Sequence, residues 1–212
     1  MVNIYDFSKN VFQDLKRESK NNSSFIPILL VLCTIPLAFA VNNISLAVFL
    51  LVALITLKKA HFKFQKELVF PVLLYLLMAV SCVWSIDPKE SLSALSKELP
   101  LLIIPLGFFI YKTNASEEKK KIIAYYSHAI LAFVAYFLIR AVIRYLIFGD
   151  SRMFFYHGEN DKDYGLVPKL LNAIHMSVFV AIAFFHFFAK EIKTKADTFF
   201  SILLFGFILL LS

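Results

Sequence analysis

Hydrophobic and polar positions alternate along this chain in blocks. Roughly seven apolar runs, near 25–41, 44–58, 68–85, 99–111, 122–147, 166–189 and 198–212, are separated by short polar connections. A helix needs about 20 apolar residues, within a range of about 17–25, to cross a hydrocarbon layer about 30 Å thick. The run lengths therefore predict an all-α fold: a polytopic transmembrane helix bundle of about seven apolar segments, with the second and fourth runs short. Only Asn42 and Asn43 join the first two runs, which predicts a tight hairpin there, spanning or re-entrant, with both ends on one side.

The polar connections differ in charge. Lys9, Lys16, Arg17 and Lys20 lie in the tail 1–24, Lys58, Lys59, Lys63 and Lys66 in 58–67, Lys112, Lys119, Lys120 and Lys121 in 112–121, and Lys190, Lys193 and Lys195 in 190–197. These clusters alternate with basic-poor connections at 42–43, 86–98 and 149–165. Basic loops stay in the cytoplasm. The pattern predicts a cytoplasmic N-terminus, a transmembrane helical domain over 25–212, and outer segments at 86–98 and 149–165. Ile4, Phe7, Val11 and Leu15 fall at helical spacing in the tail, which suits an amphipathic helix at the membrane surface or a partly ordered tail.

Composition reinforces this picture. The 212 residues are 59% hydrophobic, with 24 Phe, against roughly 45–50% apolar in soluble domains. One soluble core of this size could not hide so much apolar surface. A formal charge of +7 would suit a nucleic-acid partner, but the basic residues sit between apolar runs as a membrane topology signal, so no nucleic acid is expected. Cys33 and Cys82 lie inside apolar runs and read as small apolar fillers. Asp6, Asp14 and Glu18 before the first run argue against a cleaved signal peptide at Ala38-Phe39-Ala40.

Candidate chemistry centres on Arg140 and Arg144, one helical turn apart in the fifth run. Counted from Lys121 at 1.5 Å per residue, Arg140 lies roughly 28 Å up and Arg144 roughly 6 Å beyond, near the outer boundary. Two readings stand. Both side chains snorkel to outer headgroups, or they form a clamp for an anionic headgroup such as a diphosphate, whose oxygens a planar guanidinium binds bidentately. Arg152, His157, Lys162, Lys169 and His175 add cationic groups on the same predicted side, diluted by Asp150, Glu159, Asp161 and Asp163. His128 reads as a hydrogen-bonded packing residue. The histidine spacing suggests no metal site, and no cofactor is expected. No Asp or Glu lies within an apolar run, which weighs against a proton- or sodium-coupled carrier. On the other outer segment, Asp87 reads as an N-cap, Pro88 as the first helical residue and Glu90 as the reciprocal capping partner of a short amphipathic helix.

That last stretch, SCVWSIDPKESLSALSKELPLLIIPLGFF (81–109), resembles a segment of the bacterial O-antigen ligase and polymerase family. KLLNAIHMSVFVAIAFFHFF (169–188) is similar to a family helix with His175 in the His position, although Met176 and Val178 replace its Pro and Tyr. ILLFGFILLLS (202–212) resembles the span that runs into a Ser-Arg dipeptide in that family, with Ser212 as the Ser. The resemblance implies an inner-membrane glycosyltransferase of the C type, incomplete here. Such enzymes move a glycan from an undecaprenyl-diphosphate carrier to a saccharide, a lipid A-core or, in relatives, a protein acceptor, on the outer face and without metal. It places Arg140, Arg144, Lys169, His175 and Arg152 in substrate binding and the catalytic base beyond Ser212, in spans and an outer loop that family members carry further on. Two other classes remain open: a multipass transporter or flippase for a lipid-linked or anionic substrate, and a non-catalytic membrane protein.

Overall fold

The computed structural model describes residues 4–37, 39–56, 66–110, 116–155, 165–167 and 173–211. Among them all regular structure is helical: α1 (Ile4–Asn21), α2 (Phe25–Thr34), α3 (Phe39–Thr56), α4 (Val69–Ser81), α5 (Pro88–Lys97), α6 (Pro100–Ile110), α7 (Ser116–Phe148), α8 (Ala173–Phe188) and α9 (Lys195–Leu211). Three helical stretches, Lys66–Trp84, Pro88–Phe109 and Glu118–Phe148, are long and apolar enough to cross a membrane.

The break between the first two apolar runs is not at Asn42-Asn43. Both asparagines lie inside α3, and the chain turns at residues 35–37, where the Leu37 amide donates to the Thr34 carbonyl at 2.9 Å. Pro36 explains the shift: proline lacks an amide donor and pushes the residue before it out of the helical region. Asparagine is only a mildly poor helix former.

The chain divides into two compact units. In the first, Met1–Val31 with Asn42–Ala115, α4 lies against α5 and α6. Asp87 caps α5 as its sequence predicts: its carboxylate accepts from the Glu90 amide at 3.0 Å, and Pro88 is the first helical residue. Pro100 separates α5 from α6 by only a two-residue turn at 98–99. Gly107 of α6 marks a close approach to α3. A Cβ there would run into the ring of Phe49, which is itself buried.

In the second unit, Leu32–Val41 with Ser116–Ser212, α8 packs against α7 and α9 around one core. The buried positions form helical stripes: Tyr126, Ile130, Val134, Phe137 and Ala141 on α7, and Ala173, Met176, Val180, Ala183 and Phe187 on α8. On α9 the stripe is Asp197, Ser201, Leu204, Phe207 and Leu211. Spacings of three and four residues are those of helices whose side chains interdigitate along a seam. The Tyr126 hydroxyl adds a polar tie between helices, donating to the Phe179 carbonyl at 3.1 Å.

Candidate functional site

The geometry at the C-terminal end of α7 follows from local sequence. Gly149 ends the helix at φ 67°, and its amide donates to the Tyr145 carbonyl at 2.8 Å. A left-handed residue at a helix end satisfies an orphan carbonyl, and glycine adopts that conformation without strain. Asp150 then caps a 3-10 turn over Ser151–Phe154 by accepting from the Arg152 amide at 2.9 Å. Met153 is buried, and the Phe154 ring lies 5.6 Å from that of Tyr145, which holds this turn on the end of α7. Leu166, also buried, donates its amide to the Phe155 carbonyl at 3.1 Å.

Arg140 and Arg144 stand just before this capped end, both half-buried. At about 100° per residue, Arg144 falls within the arc occupied by the buried stripe of α7, and Arg140 about 40° beyond its edge. The Nη1 atom of Arg140 is shut off from solvent, and both arginines interact with neighbouring residues. The pair therefore lies at the margin between the packed and the exposed sides of α7. On its other flank Arg140 lies about 40° from the exposed Tyr136.

The other sequence candidates are placed differently. Arg152 is exposed and turned onto Asp150, with Nη2 at 2.8 Å from Oδ2 and Nε at 2.9 Å from the same oxygen. Its charge is offset locally, so it sits in the neighbourhood as half of a surface ion pair. His175 is exposed on α8, about 80° from the edge of that helix's buried stripe. Lys169, His157 and Lys162 lie outside the described residues. His128 is hydrogen-bonded as its sequence position suggests, with Nδ1 at 2.7 Å from the Ala124 carbonyl and its ring edge-on to Phe187. Among the described residues no three His, Cys, Asp or Glu side chains are grouped as a metal site would need.

A second polar centre escaped the sequence reading. At the start of α9, Asp197 accepts from Lys190 Nζ at 2.5 Å, from the Thr194 amide at 3.0 Å and from the Thr194 hydroxyl at 2.7 Å. The Asp197 amide in turn donates to the Thr194 hydroxyl oxygen at 3.1 Å. This is a capping box with aspartate as the third residue of the helix. The hydrogen bond from Lys190, followed by those from the Thr194 amide and hydroxyl, holds the Asp197 carboxyl well below the usual carboxylate range. The Thr-x-x-Asp spacing ahead of an apolar run was the available signal.

No protein-family model, curated protein or solved structure matches this chain.

Proposed function

We propose that this is a multipass membrane protein of about seven apolar segments, with the basic loops cytoplasmic, in a bacterial inner membrane. In it, Arg140 and Arg144 hold the diphosphate of a lipid-linked glycan for transfer to an acceptor, as in the O-antigen ligase and polymerase family that the sequence resembles. The observation that carries this reading is the placement of two half-buried arginines one turn apart at the margin of the packed stripe of a membrane-length helix. Arg140 is eight residues, or about 12 Å, from the end of α7 at Phe148, so the pair belongs near one membrane boundary. A diphosphate headgroup would sit at that depth while its polyprenyl chain stays in lipid.

The chemistry follows from charge. When an acceptor hydroxyl attacks the anomeric carbon, the bond to the diphosphate breaks and negative charge grows on the leaving oxygen. Guanidinium groups held at the leaving diphosphate would stabilise that charge most in the transition state. Arginine cannot accept the hydroxyl proton, so that proton must pass to a general base other than these two residues. His175, with an exposed imidazole on α8, would orient a phosphate or the acceptor, and Lys169 would add a further cation.

The test is Arg140→Ala with Arg144→Ala in the full-length gene product, with lipid-linked and transferred glycan measured in the native cell. Loss of transfer by a factor of 100 or more, on the order of removing charge-stabilising donors, with normal membrane insertion, supports the reading. Unchanged transfer refutes it. Substrate movement across vesicles without transfer would assign the same cations to a carrier.

A further inference from the structure

An open apolar groove of about 360 Å³ runs between α8 and α9, lined by Phe184, Phe188, Ile202 and Phe205, with Thr198 and Lys193 at one end. That volume falls within the range of ligand pockets, about 300–1,000 Å³. We propose that this groove binds one anionic phospholipid, with an acyl chain against the phenylalanines and the phosphate on Lys193. This site goes beyond the diphosphate reading and shares no residue with it.

The groove is amphipathic along its length. Thr198 and Phe205 are seven residues apart on α9, so the polar and apolar ends are about 10 Å apart. Lys193 is exposed, and its ammonium stands 4.3 Å from the centre of the Phe188 ring, which places the charge at the groove's mouth. The loop supplies the sign. Lys190 and Asp197 neutralise each other in a pair with only 9% of the Asp197 side chain exposed. Of the remaining charges in 190–197, Lys193 and Lys195 are basic and Glu191 is acidic. The other polar lining residues spend their hydroxyls on backbone, Ser201 on the Asp197 carbonyl at 2.9 Å and Thr198 on the Thr194 carbonyl at 3.4 Å. Lys193 is therefore the one lining side chain with a charge to offer, and charge plus a chain-shaped apolar wall selects an anionic lipid over a zwitterionic one. Under the topology proposed above, this headgroup lies in the cytoplasmic leaflet, where anionic lipids attract basic juxtamembrane residues.

The experiment uses the full protein purified in neutral detergent, with retention of dioleoyl phosphatidylglycerol and dioleoyl phosphatidylcholine measured by native mass spectrometry. One cation near the surface predicts about fivefold tighter retention of phosphatidylglycerol. Lys193→Gln brings the ratio to about one. Ile202→Trp fills the groove and lowers retention of both lipids; Ile202 is largely exposed, so the fold tolerates the change. Glycerol 3-phosphate, which has the headgroup charge and no chain, does not compete. Equal retention of the two lipids by the unmodified protein, a preference that survives Lys193→Gln, unchanged binding in Ile202→Trp, or competition by glycerol 3-phosphate would each overturn the proposal.

Discussion

Helices α4 and α8 are almost equally apolar, yet they are used differently. Both are apolar nearly all round. None of the residues of α4 is buried, whereas α8 buries Ala173, Met176, Val180, Ala183 and Phe187 along one stripe. A soluble helix betrays its packed side by polar residues opposite. A membrane helix has no such tell, because lipid accepts the same side chains as a protein core does. The packed side of α8 is set by shape: Ala173 and Ala183 are small enough to let neighbouring helices approach, and Phe187 fills the space beyond. Leu73, Leu74, Leu76 and Leu77 give α4 a uniform, exposed surface.

The sharpest way to break this comparison is to truncate one side chain on each helix. Phe187 is fully buried and Leu77 is 66% exposed. Phe187→Ala should destabilise the second unit by about 3–5 kcal/mol, and Leu77→Ala by no more than about 0.5 kcal/mol, read from unfolding in mixed detergent. Equal effects would mean that the α8 stripe is not a packed seam.

A smaller effect is expected at the polar end of that seam. Asp197→Asn keeps the capping geometry and removes the charge opposite Lys190, which remains about a third exposed. A cost of about 2–3 kcal/mol is expected, below the full value for a deeply buried pair. The pH dependence has a definite sign. The folded carboxyl is held below its unfolded value of about 3.9. Its contribution is therefore complete above about pH 5 and lost as pH falls below about 4, because the unfolded chain binds the proton first. Unfolding midpoints measured from pH 7 down to 3 should fall more steeply for the unmodified protein than for Asp197→Asn.

The first unit provides the smallest test. Gly107→Ala places a methyl group against the buried Phe49 ring. The ring is the movable partner, so the cost should be about 1–2 kcal/mol, at the low end for overpacking. A neutral or stabilising result from the same unfolding assay would show that Phe49 swings aside freely.

What could be read in the sequence was whatever local chemistry dictates. Asp87 before Pro88 announces a helix start regardless of tertiary context, and the structure shows that cap. The apolar runs announce helices for the same reason. The turn at 35–37 was obscured because Asn42-Asn43 interrupts the hydropathy pattern, while Pro36 interrupts the backbone without interrupting hydropathy. Thr194 and Asp197 fall in the polar connection 190–197, and their significance depends on Lys190, seven residues before Asp197, folding back onto it. The arginine pair was legible as chemistry but not as orientation. Only the stripe through Phe137 and Ala141 shows that it lies at the margin of the packed side of α7.

The central claim, that Arg140 and Arg144 hold a diphosphate, is tested most directly by binding. The full-length protein and its Arg140→Gln, Arg144→Gln variant would be reconstituted in nanodiscs, and undecaprenyl diphosphate retention measured against undecaprenyl monophosphate. Two charge-assisted, bidentate contacts predict at least tenfold weaker diphosphate retention in the variant, with monophosphate affected less. Equal diphosphate retention by the two proteins would contradict the account and return both arginines to a structural role.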